Sequence, residues 1–123
     1  MKIGEMAKRS DLPASTIRYY EQIGLIPHPT RESGQRIYEE STADLLKVVK
    51  IARGLGYSLE EVSPLLEAFR TRNEPSGVCH ELVHSKLQEL DALIQRTEEM
   101  KRILVSGLDC DCKEPTDCFL HCC

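Results

Sequence analysis

Tryptophan is absent from this 123-residue sequence, and aromatic residues make up only 5% of it. So few large side chains argue against a large globular core and favour helices that pack through Leu, Ile and Val. No apolar run approaches the length of a membrane span, and the charged N-terminus lacks the apolar segment of a signal peptide. We therefore expect a cytoplasmic protein that has no membrane contact.

Cysteine is absent from the first 78 residues and then becomes concentrated. After Cys79, the other five cysteines fall within the last fourteen residues, at Cys110, Cys112, Cys118, Cys122 and Cys123. Thiols stay reduced in the cytoplasm, so metal binding or redox chemistry explains this cluster better than a disulfide framework. Thiolates are the ligands that soft metal ions prefer.

A strong positive charge is also missing, since the net charge is −4. The charge is unevenly distributed, however. Residues 1–56 contain nine Lys/Arg and seven Asp/Glu, whereas residues 57–123 contain seven and thirteen. A weakly basic first half is compatible with DNA binding there, although it does not establish such binding.

The first 40 residues have the pattern of a winged helix-turn-helix. A helix is predicted to end near Arg9, and a second one to run from Pro13 to about Ile23 after a short turn. Its Ile17, Tyr20 and Ile23 should share one buried side. A helix pair joined by such a turn is the helix-turn-helix arrangement. The apolar pairs at 25–26 and 37–38, on either side of a Pro- and Gly-containing loop, predict a β-hairpin, or wing.

Three further helices are expected. Ser41 is predicted to cap the third helix, and the capping box from Ser58 to Glu61 is predicted to start the fourth. A heptad pattern then predicts a long helix that cannot bury its apolar seam within so small a chain, which favours a homodimer. We thus expect a mainly α protein with a DNA-binding domain over 1–72, a linker over 73–77, a dimerisation helix over 78–106 and a metal-binding loop and tail over 107–123.

Two motifs resemble those of a known family. The segment TIRYYE at residues 16–21, followed by GLI at 24–26, resembles the reading head of MerR family transcriptional regulators, and so does the wing motif SGxRxY at 33–38. The resemblance covers residues 1–70 in detail and 78–105 in architecture. Gln35 departs from the family, which usually has an aromatic residue in that place.

The resemblance implies a homodimer on double-stranded promoter DNA that activates RNA polymerase by distorting the DNA when an effector binds. It also implies which residues contact DNA. Carried over position by position, these are Thr16, Arg18, Tyr19, Arg31, Arg36, Tyr38, Lys50 and Arg53. Tyr20 instead has the spacing of a core residue.

The effector implied by the resemblance is a divalent soft metal ion, namely Hg, Pb, Cd or Zn, with no organic cofactor. Family members of this kind place a cysteine at the start of the dimerisation helix, where Cys79 stands, whereas copper-type members usually have serine. We expect Cys79 of one subunit to bind the ion with Cys112 and Cys118 of the other. Cys110 would be a substitute or fourth ligand.

Three questions remain open at this stage. The spacing of Cys110, Cys112 and Cys118 also resembles the iron–sulfur redox sensors of the same family, although Gly107 occupies the place of their remaining cysteine. A metal-buffering protein without DNA binding is the second alternative. An enzyme is not expected, because no catalytic constellation is evident. The sequence leaves open whether the remaining donors bind metal, which are His80, His84, His121, Cys122 and Cys123.

Overall fold

The computed structural model describes residues 1–109 and 111–118, and it is mainly helical. Within these residues, five α-helices and one hairpin follow each other. They are α1 (Ile3–Ser10), α2 (Ala14–Gln22), β1 (Thr30–Glu32), β2 (Gln35–Ile37), α3 (Glu40–Gly54), α4 (Leu59–Thr71) and α5 (Pro75–Gly107), and a single 3₁₀ turn follows at Pro115–Asp117. The predicted mainly α architecture, with a winged helix-turn-helix and a long C-terminal helix, is confirmed.

The helix-turn-helix is formed by α1 and α2. Asp11 ends α1 in the left-handed conformation at φ 55°, and its N–H donates to the carbonyl of Ala7. Ile17 and Tyr20 of α2 are buried, as predicted. Ile23 was predicted on the same buried side, and this was wrong: α2 ends at Gln22, and Ile23 is 47% exposed beyond it.

The wing is a β-hairpin with a two-residue turn, and its strands differ from the predicted ones. Ser33 and Gly34 form its tip at φ 51° and 80°, and positive φ at both positions is the geometry of a type I′ turn. The prediction placed strands at residues 25–26 and 37–38, but Leu25 and Ile26 lie in the core and pair with no strand. The apolar character of these two residues reflects burial. Strand β1 is polar and exposed, whereas β2 includes the predicted Ile37 and is partly buried.

The core of the first 79 residues is formed where α1, α2, α3 and α4 meet. It consists mainly of aliphatic side chains together with three tyrosines, as the scarcity of aromatic residues predicted. Its most buried members are Met6, Ile17, Ile26, Tyr38, Leu46, Val49, Val62 and Leu66. Burying each such side chain contributes roughly 1.5–3 kcal/mol, so this core is a main source of stability for the reading head.

Helix starts were predicted with mixed success. Helix α3 begins one residue before Ser41, after Glu39, and has no side-chain cap, so the predicted capping role of Ser41 is wrong. Helix α4 begins with the predicted capping box. The backbone N–H of Glu61 donates to Ser58 Oγ at 3.1 Å, and the N–H of Ser58 donates to Glu61 Oε1 at 2.9 Å.

Helix α5 begins at Pro75, inside the segment predicted as a linker, and has 33 residues. At about 1.5 Å per residue it is roughly 50 Å long. Its heptad seam is exposed, with large apolar side chains such as Val83, Leu87, Leu90 and Ile94 open to solvent. Within residues 1–109 and 111–118, no helix is long and apolar enough to cross a membrane. By its contacts, the chain divides into two compact units, Met1–Cys79 and His80–Cys123.

Candidate DNA-reading surface and metal site

The reading helix α2 has one buried side and one open side. Arg18 and Tyr19 are exposed and Thr16 is half-buried, while Ile17 and Tyr20 anchor the opposite side in the core. The three predicted contact residues therefore lie on the part of the helix that the core leaves accessible. A helix presented in this way fits the major groove of B-DNA.

The wing places two arginines directly opposite each other. Arg31 of β1 is the register partner of Arg36 of β2. Like charges in directly opposed positions destabilise an antiparallel pair. Arg31 Nη1 also donates to the carbonyl of Gly34 at 3.4 Å, which holds it near the tip of the hairpin. Two arginines paired in this register offer guanidinium donors from the same part of the wing, and such donors suit a phosphate.

Glu21, near the end of α2, joins the reading helix to the wing. Its Oε2 accepts hydrogen bonds from Arg36 Nε at 3.2 Å and from the Tyr38 hydroxyl at 3.0 Å. Its Oε1 lies 3.6 Å from His28 Nδ1. Only 12% of the Glu21 side chain is exposed. The prediction assigned no role to Glu21, because its partners are 15 and 17 residues away and leave no local signal in the sequence.

Tyr38 is a core residue in this structure, although it was predicted to contact the DNA backbone. Its side chain is buried, and its backbone N–H donates to the carbonyl of Met1 at 2.7 Å. Burial, together with the hydrogen bond to the Glu21 carboxylate, raises the pKa of Tyr38 to about 12. The hydroxyl therefore stays protonated and supports the wing from inside. Direct contact between Tyr38 and DNA stays a prediction.

The two predicted basic residues of α3 both make contacts within the protein. Lys50 Nζ forms an ion pair with the Asp11 carboxylate and donates to the Asp11 carbonyl at 2.9 Å. The hydrogen bond from Lys50 and its positive charge lower the pKa of Asp11. Arg53 Nη1 donates to the carbonyl of Tyr57 at 2.8 Å. Lys50 thus braces the turn of the helix-turn-helix, and Arg53 braces the loop before α4. Their contact with DNA is not tested by these bonds.

The predicted metal ligands occupy both ends of α5. Cys79 is half-buried in the second turn of the helix, and Cys112 and Cys118 are exposed in the segment after its end. Cys110 lies outside the described residues, as do His121, Cys122 and Cys123. Across residues 1–109 and 111–118 of a single chain, no three His, Cys, Asp or Glu side chains converge on one metal position.

These features define a class of protein: a winged helix-turn-helix reading head followed by a long helix with thiols at both ends. Comparison with known proteins agrees with this class. The family model described as "MerR HTH family regulatory protein" matches residues 1–68, and the one described as "MerR, DNA binding" matches residues 43–106. The chain belongs to the MerR family of transcriptional regulators, as its motifs indicated.

Individual relatives match most of the chain. The HTH-type transcriptional regulator HmrR of Rhizobium leguminosarum bv. viciae is 38% identical over 104 residues, covering 85% of this chain and 81% of the relative. The mercuric resistance operon regulatory protein of Bacillus cereus is 34% identical over 121 residues, covering 96% and 89%. These relatives are transcriptional regulators, not enzymes.

A solved structure matches over nearly the full length. The transcription regulator PbrR691 from Ralstonia metallidurans CH34, crystallised in complex with lead(II), aligns with a TM-score of 0.78 and 28% identity. The alignment covers 96% of this chain and 94% of that one. The relatives of this chain thus include regulators associated with heavy metals.

Proposed function

We propose that this chain is a metal-responsive transcriptional regulator that binds promoter DNA as a homodimer. A divalent soft metal ion, one of Hg, Pb, Cd or Zn, would bind Cys79 of one subunit and Cys112 and Cys118 of the other, with Cys110 as substitute or fourth ligand. Metal binding would distort the DNA so that RNA polymerase can use the promoter. The setting would be the cytoplasm, where the thiols stay reduced.

The length of α5 is the observation that carries this proposal. Cys79 is followed by 28 more helical residues, up to Gly107. At about 1.5 Å per residue, the helix places its end roughly 42 Å along its axis from Cys79. Two thiolates on one ion both lie about 2.3 Å from it. A second α5 running antiparallel would bring Cys79 of one subunit to the thiol segment of its partner.

The exposed seam of α5 supports the same dimer. Leu87, Leu90 and Ile94 follow the four-and-three spacing of a coiled coil and are all exposed in the single chain. Exposed apolar side chains in a contiguous row mark a surface that a partner covers. An isologous two-fold pair covers the row on both chains at once. We therefore take a second copy of α5 as its partner.

The reading head supports DNA as the ligand. Arg18 and Tyr19 are exposed on α2, and Arg31 faces Arg36 on the wing. A phosphate beside the two arginines would accept hydrogen bonds from their guanidinium groups. Several phosphate contacts of this kind supply sequence-independent affinity, while α2 reads the bases. The weakly basic first half of the chain agrees with this division of roles.

A reporter and a binding assay together test the proposal. The DNA probe is a duplex that the protein selects from a randomised pool, so the operator sequence need not be specified beforehand. Transcription from a promoter containing this duplex should rise with one or more of the four metals, and Cys79→Ser, Cys112→Ser and Cys118→Ser should each abolish the rise. The matched control is Ser85→Ala, which changes an exposed side chain of α5 away from the thiols.

Each alternative predicts a different outcome of these assays. An iron–sulfur sensor would be purified with visible absorbance and would respond to oxidants instead of to divalent ions. A metal-buffering protein would bind the ions but select no duplex from the pool. Full induction of Cys79→Ser by the divalent ions would contradict the site shared between subunits.

A further inference from the structure

The carboxylate of Glu21 is the centre of a network that faces the proposed DNA surface. It is largely buried, yet it stands between the end of the reading helix and strand β2. Its two shortest contacts are to Arg36 Nε and the Tyr38 hydroxyl, both on Oε2. A buried carboxylate is retained only where its hydrogen-bonding partners compensate for lost hydration. Here the compensating partners all belong to the wing or to the segments that flank it.

The contact with Arg36 engages only one part of the guanidinium. Glu21 accepts from Nε, and among residues 1–109 and 111–118 this is the one side-chain hydrogen bond that Arg36 makes. A guanidinium has five N–H donors in a rigid plane, so four remain on the two terminal nitrogens. The bond at Nε fixes the direction of that plane. The terminal nitrogens are then presented together for a bidentate acceptor.

We propose that Glu21 is a positioning residue for DNA binding: it fixes the wing against the reading helix and orients Arg36 toward a backbone phosphate. This inference rests on the proposed DNA binding and adds a role for a residue that would itself repel DNA. Tyr38 supports the same carboxylate from the core side. Glu21 need not contact DNA, because it acts through Arg36.

The direction in which one substitution changes DNA affinity distinguishes this role from a simple effect of charge. Glu21→Gln removes a negative charge near the DNA and preserves the size of the side chain. Charge alone predicts tighter binding to a polyanion. If Glu21 positions Arg36, binding should instead become weaker, because a neutral amide holds the Arg36 guanidinium with about half the strength of a carboxylate. We expect Glu21→Gln to weaken binding by up to about tenfold, the change expected when a hydrogen bond between charged groups loses half of its strength.

A matched control removes a negative charge of the same kind from the wing itself. Glu32, at the end of β1, is exposed and takes part in no ion pair within the described part of the chain. Glu32→Gln should bind the duplex as tightly as the parent or more tightly. Affinity is measured by fluorescence anisotropy on the duplex selected by the parent protein, at several salt concentrations. The plot of log K against log salt has a negative slope. For Glu21→Gln the magnitude of this slope should decrease by about 0.9, the value for one phosphate contact on B-DNA, and for Glu32→Gln it should not decrease.

A double-mutant cycle with Arg36→Ala tests whether Glu21 acts through Arg36. In the Arg36→Ala background, Glu21→Gln should no longer weaken binding. Thermal unfolding of each variant verifies that the reading head remains folded. The proposal is overturned if Glu21→Gln binds as tightly as Glu32→Gln, or if its effect persists without Arg36. A parent protein that selects no duplex at all would overturn the proposed function, and this inference with it.

Discussion

A mixed dimer tests the proposed metal site most directly. One chain carries Cys79→Ser, and the other carries Cys112→Ser together with Cys118→Ser. Neither variant can form a complete site as a homodimer. If each site combines Cys79 of one subunit with the two later cysteines of the other, the mixed dimer retains one intact site. The second position in the same dimer lacks all three ligands.

The geometry of α5 sets the expected result. The helix places its end about 42 Å from Cys79. The five residues from 108 to 112 span at most about 18 Å when fully extended. Even if that segment turned straight back, Cys79 and Cys112 of one chain would remain roughly 24 Å apart along the helix. This separation is several times the distance between two thiolates that share an ion.

The assay is equilibrium dialysis of purified mixed dimers against Cd²⁺, Pb²⁺ or Zn²⁺ in the presence of a competing chelator. Two-fold symmetry gives about two equivalent sites in the parent dimer and about one in the mixed dimer. The two variant homodimers measure the binding that other thiols contribute. If the mixed dimer binds no more metal than these homodimers, the antiparallel shared site is refuted. A parallel pairing of α5 would give that result.

Three further predictions concern folding and assembly. Ile94→Glu, in the exposed seam of α5, should convert the dimer to monomers in analytical ultracentrifugation, because a charge is then buried without a partner, whereas Gln95→Glu next to it should leave the dimer intact. Ser58→Ala should lower the free energy of unfolding by about 1 kcal/mol in urea titrations, since it removes the cap of α4, and Ser63→Ala within the same helix should not lower it. Tyr38→Phe should be less stable than the parent at neutral pH, and this difference should shrink as the pH rises from about 10 to 12. The sign follows because the folded tyrosine, with its pKa of about 12, keeps a proton that the unfolded chain loses near pH 10, so ionisation favours unfolding of the parent alone. A constant difference across that range would contradict the assignment.

Features with local causes were predictable from the sequence. The capping box of α4 depends on two residues three positions apart, and the structure has it as expected. The presence of a hairpin was also evident, because its loop contains Gly34, and glycine suits a turn that needs positive φ. Strand β1 was not evident, since its exposed polar residues lack any alternation, whereas β2 shares Ile37 with the predicted strand. Leu25 and Ile26 were predicted as a strand because they are apolar, but they are apolar because they are buried in the core.

Features with long-range causes were beyond the reach of the sequence. Lys50 and Asp11 are separated by 39 positions, and no local pattern links them. Glu21 lies inside the most specific motif of the chain, and yet its partners in and next to the wing could be found only from the folded arrangement. The predicted thiol site depends on a second chain, and part of it lies outside the described residues. Its ligands therefore stay a prediction.

If the proposed metal response is correct, the 33-residue length of α5 has a consequence for how regulators of this kind can vary. In a symmetric antiparallel pair, removing the same number of residues from the middle of both helices moves the two ends inward equally. Each Cys79 would still face the thiol segment of the partner. The only restriction is that the apolar seam must still face the partner helix. Removing residues in steps of seven keeps the seam on that side. The spacing between two metal sites could thus change by about 10 Å per step while every site kept the same ligands.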